Sequence, residues 1–148
     1  MFASSVAFRA EQSLPTQRDE IVNDTFSGMR ILESLVSELD RAGFDQRRIR
    51  DVELAFTEAL VNAVRHGNQD DPHKVVCIQY RIDFVGLWLS IEDEGHGFQP
   101  DQIADPRLPE NLDRPGGRGL LLMNSQMSHV EFNARGNHVV LRLLKHAA

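Results

Sequence analysis

The sequence predicts a two-layer α/β sandwich, with a mixed, mostly antiparallel sheet covered by helices on one face. Three observations predict it. Two successive segments repeat apolar residues at helical spacing, the pattern then changes to strand alternation, and a proline-broken stretch at 98–116 separates these from a closing hairpin. A length of 148 residues with 41% hydrophobic composition suits one domain with a real core, spanning 1–148.

Residues 6–12 alternate weakly through Val6, Phe8 and Ala10 and predict an opening strand. From about Arg18 to Arg41 the apolar residues Ile21, Val22, Phe26, Met29, Leu32, Val36 and Leu39 predict the first helix. Gly43 ends it, in the left-handed position that glycine adopts cheaply. Asp45 suits the cap of a second helix whose buried side is Ile49, Val52, Phe56, Ala59, Leu60 and Ala63. Gly67 and the Asp70-Asp71-Pro72 turn close that helix. Lys74 to Ile82 is rich in β-branched residues, and Leu87, Leu89 and Ile91 alternate with Trp88, Ser90 and Glu92, so a turn at Asp83–Gly86 makes a hairpin. Pro100, Pro106, Pro109 and Pro115 break any regular element in 98–116, and a loop that long in a small domain is usually functional or disordered. Leu120 to Met127 reads as helix, and Val130–Asn133 with Val139–Leu144 as a last hairpin around Arg135-Gly136-Asn137.

Bulk properties narrow the function. A formal charge of −6 argues against direct nucleic-acid binding, which needs a basic face. Cys77 is the single cysteine, so no internal disulfide forms and a reducing compartment is expected. No apolar run approaches the ~20 residues of a membrane span, and Met1-Phe2-Ala3-Ser4-Ser5-Val6 lacks the marks of a signal peptide. The expectation is a cytoplasmic protein with no membrane role.

Three blocks carry chemistry. Glu58 and Asn62 stand four apart on the second helix, so both project from one face. An amide oxygen can ligate a phosphate-bound magnesium ion that keeps several waters, without adding negative charge. An acid one turn earlier can orient a hydroxyl or water for in-line attack on a γ-phosphate. Alone, such a pair more often marks a solvated helix face. Asp93 ends a strand before Gly95 and Gly97, where a carboxylate can accept a hydrogen bond from adenine's exocyclic amine while guanine's carbonyl is repelled. The other reading is an ordinary acidic turn. Gly116-Gly117-Arg118-Gly119 enters an apolar run, and backbone N–H groups at such a helix start can cradle phosphates. It lacks the Gly-Lys-Ser/Thr ending of a P-loop; Arg118 either pairs with phosphate or lies in solvent.

In order and spacing, these blocks resemble the N, G1 and G2 boxes of the GHKL ATPase superfamily, whose domain is of the histidine-kinase-like ATPase type. The stretches that carry the resemblance are Glu58-Ala59-Leu60-Val61-Asn62-Ala63-Val64-Arg65-His66-Gly67, Asp93-Glu94-Gly95-His96-Gly97-Phe98 and Gly117-Arg118-Gly119-Leu120-Leu121-Leu122-Met123, within a likeness over about residues 6–145. Within the superfamily the chain is most similar to bacterial anti-sigma factor serine/threonine kinases. The resemblance implies ATP and Mg2+ as cofactors, Glu58 as catalytic base and Asn62 as magnesium ligand. It implies Asp93 on the adenine amine, Gly95 and Gly97 against the base, residues 98–116 as the ATP lid, and Gly117, Arg118, Gly119 and Leu120 at the phosphates. It further implies phosphorylation of a small anti-anti-sigma partner, sequestration of a sigma factor, and a homodimer. One departure stands out: relatives often carry Gly-Thr in the last hairpin, where this chain has Gly136-Asn137. The alternative function is a nucleotide-dependent binding module or switch with little or no kinase activity. A free-standing ATPase subunit fits less well, because a transducer domain is missing.

The remaining polar residues have plainer roles. His66 falls in the last turn of its helix, where it complements the dipole. The histidines lack the spacing of a zinc site. Cys77 reads as a small strand hydrophobe, Trp88 as sheet packing, and Arg47, Arg48 and Arg50 as a solvated cluster or a docking surface.

Overall fold

The computed structural model describes residues 17–96 and 126–146. Strand β1 spans Gln17–Val22, followed by helices α1, Thr25–Arg41, and α2, Gln46–Val61. A π-helical turn over Asn62–Gly67 continues α2 directly. Strands β2, Val76–Ile82, β3, Gly86–Asp93, β4, His129–Phe132, and β5, His138–Leu144, complete the described fold. The sheet order is β1-β2-β3-β5-β4, with every neighbouring pair antiparallel. This is the expected α/β sandwich.

Both helices begin on an aspartate. Asp24 accepts from the Ser27 N–H at 2.7 Å and Asp45 from the Arg48 N–H at 2.9 Å, each satisfying a donor the helix leaves orphaned. Gly43, at φ +86°, ends α1 as its sequence position suggested. The first helix starts later than its apolar spacing predicted. Arg18 to Val22 belong to β1, where Ile21 pairs with Cys77 and Val22 with Val76. The β-branched pair gains more from an open sheet edge, and the Asp24 cap admits helix only from Thr25. The strand expected at 6–12 lies outside the described residues, as does the helix expected at 120–127 apart from its last two positions.

One face of the sheet is apolar. Val76, Ile78, Tyr80 and Ile82 alternate inward on β2, Leu87, Leu89 and Ile91 on β3, and Val139, Leu141 and Leu143 on β5. They meet Leu35 and Leu39 of α1 and Ile49, Val52, Phe56 and Leu60 of α2, all buried. Burying each large apolar side chain contributes about 1.5–3 kcal/mol. Gly28 lets the helices approach closely: a β-carbon there would lie 2.5 Å from a methyl of Leu60.

The other face is mixed. Trp88 lies under the Arg81 guanidinium, 5.7 Å from ring centroid to charge, and the Ser90 hydroxyl meets the His138 ring. Cys77 is partly exposed there rather than buried. Arg48 of the basic cluster donates to the Leu144 carbonyl at 2.7 Å. No helix among the described residues is long and apolar enough to cross a membrane.

Candidate functional site

Asp93 is the last residue of β3 and is buried at the junction of the sheet with the end of α2. Its position is held from both sides of the chain. The Asp93 N–H donates to the Asn137 carbonyl at 2.8 Å, and the Asn137 amide donates to the Asp93 carbonyl at 2.9 Å. One carboxylate oxygen accepts from the Gly95 N–H at 2.8 Å, leaving acceptor capacity for a further donor. Burial pushes the Asp93 carboxyl above its ordinary range; the Gly95 hydrogen bond and the charges of Arg135 and Lys74 oppose that, while Glu92 adds to it. A buried acid with a perturbed pKa at a strand end is a functional-site signature.

Two glycines make the close packing around it. A β-carbon on Gly67 would fall on the Asp93 carboxylate, and one on Gly95 would fall on the Gly67 carbonyl oxygen. The end of the π-helical turn therefore lies directly against the strand end and the turn after it. That shape, a bare backbone wall beside an acceptor, fits a flat purine whose amine faces a carboxylate.

Glu58 and Asn62 flank the point where α-helix becomes π-helix, and both are half-buried. The Asn62 N–H is shared between the Ala59 and Glu58 carbonyls, and the Asn68 N–H reaches back five residues to the Ala63 carbonyl at 2.9 Å. Single π turns inside helices recur at functional sites. Asn62 opens this turn and Gly67, which lies against Asp93, closes it, so six residues join the acid–amide pair to the buried Asp93 carboxylate. Among the described residues no group of three or more His, Cys, Asp or Glu side chains gathers as a metal cage. Asn62 offers an amide oxygen of the kind magnesium takes beside phosphate oxygens.

The structure thus brings together Gly67, Asp93 and Gly95, with Asn62 and Glu58 on the adjoining helix. Gly97, Gly117, Arg118, Gly119 and Leu120 lie outside the described residues. Three further residues support the site without a signal of their own in the sequence analysis, and Asn137 joins them. Asn68, 3% exposed, donates to the Val75 carbonyl at 3.0 Å and accepts from the Glu94 N–H at 2.8 Å. Asn133 donates to the Asn137 side chain at 2.8 Å while its own oxygen collects the Gly136, Asn137 and His138 N–H groups. Arg135 donates to the Gly95 carbonyl at 3.0 Å. Asn137, which stands where relatives often carry threonine, donates its amide to the Asp93 carbonyl. The available signal was Asn-x-x-Gly-Asn, a turn sequence whose glycine sits at φ +77°.

An antiparallel sheet with two helices on one face, a buried carboxylate at a strand end and an acid–amide pair on the adjoining helix define an ATPase-type α/β sandwich. Residues 28–143 match the histidine kinase-like ATPase domain, and the chain belongs to that family. Similar curated proteins include the serine-protein kinase RsbW of Oceanobacillus iheyensis, 31% identical over 100 residues, which are 64% of this chain and 63% of that protein. RsbW of Bacillus subtilis is 30% identical over 81% of this chain and 74% of its own length. The anti-sigma F factor of Anoxybacillus flavithermus is 27% identical over 84% of each.

Proposed function

We propose that this chain is an ATP-dependent protein serine/threonine kinase of the anti-sigma type. It phosphorylates a small anti-anti-sigma partner, sequesters a sigma factor, and works as a cytoplasmic homodimer of single-domain subunits. The observation that carries the reading is Asp93, a buried carboxylate with acceptor capacity, walled by Gly67 and Gly95. The names of the relatives, serine-protein kinase and anti-sigma F factor, support the partner-switching assignment.

Asp93 accepts the adenine amine and rejects guanine. Asn62 offers its amide oxygen to magnesium, which supplies charge neutralisation at the phosphates. Glu58, one helical turn before Asn62, orients the attacking hydroxyl, a task that rests on alignment more than on proton affinity. Gly97, Gly117, Arg118, Gly119 and Leu120 complete the nucleotide contacts in this reading, with 98–116 as the lid.

The test is calorimetric titration with ATP and GTP, with and without magnesium, on wild type and Asp93→Asn. Magnesium-dependent binding of ATP alone, weakened by Asp93→Asn, is expected; a folded protein that ignores ATP refutes the reading. Glu58→Gln is expected to retain ATP binding while phosphoryl transfer falls about a hundredfold or more.

A further inference from the structure

We infer that Asn68 is a positioning residue for purine recognition, acting with Glu94 and the Val75 backbone; this rests on the nucleotide-site reading above. The three residues form a closed ring of hydrogen bonds. The Asn68 amide donates to the Val75 carbonyl at 3.0 Å, the Val75 N–H donates to a Glu94 carboxylate oxygen at 2.7 Å, and the Glu94 N–H donates to the Asn68 amide oxygen at 2.8 Å. Each bond joins a different pair among three segments: the end of the π-helical turn, the approach to β2 and the turn after β3.

The ring sits where the site needs it. Asn68 follows Gly67, whose missing β-carbon makes room for the Asp93 carboxylate, and Glu94 lies between Asp93 and Gly95. Gly67 lies so close to Asp93, and Gly95 so close to Gly67, that neither leaves room for a β-carbon, and within the turn the Gly95 N–H donates to the Asp93 carboxylate. The bond from the Glu94 N–H to the Asn68 amide oxygen adds a directional tie between the turn after β3 and the end of the π-helical turn. It holds the base-reading carboxylate at a set depth against the helix end. Because the same π turn begins at Asn62, the ring also sets the span between the base and the magnesium ligand. Asn68 touches neither ligand in this account; it works through Asp93 and Gly95.

The experiment titrates the full-length chain with ATP and with GTP calorimetrically, for wild type, Asn68→Ala, Glu94→Ala and Glu94→Gln, well below each melting temperature. Asn68→Ala and Glu94→Ala are each expected to weaken ATP by about tenfold, the worth of one or two hydrogen bonds, and to narrow the preference for ATP over GTP. Glu94→Gln keeps an oxygen that accepts from Val75 and is expected to restore wild-type affinity and preference, which a residue serving stability alone would not require. ATP affinity within about twofold of wild type in a folded Asn68→Ala or Glu94→Ala protein overturns the inference. If Asn68→Ala fails to fold, the contrast between Glu94→Ala and Glu94→Gln decides it. A wild type that binds no ATP overturns the nucleotide reading and this inference with it, whereas wild-type binding with indifferent variants overturns the inference alone.

Discussion

A β-carbon on Gly67 would stand on the carboxylate of Asp93. The helix end and the strand end are therefore packed so tightly that the residue facing the proposed base-reading acid must have no side chain. Gly67→Ala gains about 1 kcal/mol of helix propensity but incurs about 1–3 kcal/mol of overpacking, so modest net destabilisation is expected. The larger effect falls on the ligand: displacing Asp93 should weaken ATP by about tenfold or more in a calorimetric titration.

Asp93 also predicts a pH dependence. Burial, the largest cause, raises its folded pKa above the unfolded value of 3.8, so the folded state holds the proton more tightly. The ionised group then opposes folding. That penalty is absent below the unfolded pKa, grows as pH rises through the folded one, and is fully present above it. Asp93→Asn, uncharged throughout, should be more stable than wild type in urea unfolding at pH 7, with the gain vanishing near pH ~4. The same substitution should weaken ATP binding, and a variant less stable at pH 7 than at pH ~4 relative to wild type contradicts the account.

Tyr80 predicts a stability effect remote from the site. Its hydroxyl donates to a Glu38 carboxylate oxygen at 2.7 Å, tying β2 to α1. Burial first, and the Glu38 bond second, push the phenol up to about 12 against the opposing influence of Arg18. The neutral phenol's contribution is complete below pH ~10 and lost as pH rises through the folded value. Tyr80→Phe should cost about 1–2 kcal/mol at neutral pH, read as a lower denaturation midpoint, and leave ATP affinity unchanged.

Gly28 and Leu60 form a coupled pair. Gly28→Ala gains about 1 kcal/mol in an α-helix, yet its β-carbon would crowd a fully buried leucine in a well-packed core, at about 1–3 kcal/mol. Destabilisation should win. Shortening the obstacle with Leu60→Val should make the double variant lose less than the sum of the singles, by about 0.5 kcal/mol or more in a double-mutant cycle.

Much of this was legible along the chain. Asp45, Gly43, the period change after Lys74 and the hairpin at Asp83 to Gly86 each announce themselves within a few residues, because caps, turns and pleats are local devices. Asp93 and the Glu58–Asn62 pair were legible for the same reason, since acid–glycine and i, i+4 patterns need no distant partner. Arg18 to Val22 misled because Ile21 and Val22 suit either a helix or a strand. The pairing of Val22 with Val76, 54 positions away, decides between them.

What spacing and composition established was the order of elements and the apolar faces, which follow from local periodicity; they also singled out Glu58, Asn62 and Asp93 as candidates for the proposed site. Only the folded chain decided how deep Asp93 sits, that the helix ends in a π turn, and that Asn68, Glu94, Arg135 and Asn137 hold the site's backbone. The physical reason is that burial and hydrogen-bond partners are properties of pairs distant in sequence. On the sequence Gly67 reads as a helix stop and Gly95 as a glycine after an acidic strand end. Against each other and Asp93 they are the points where the backbone must pass without a side chain.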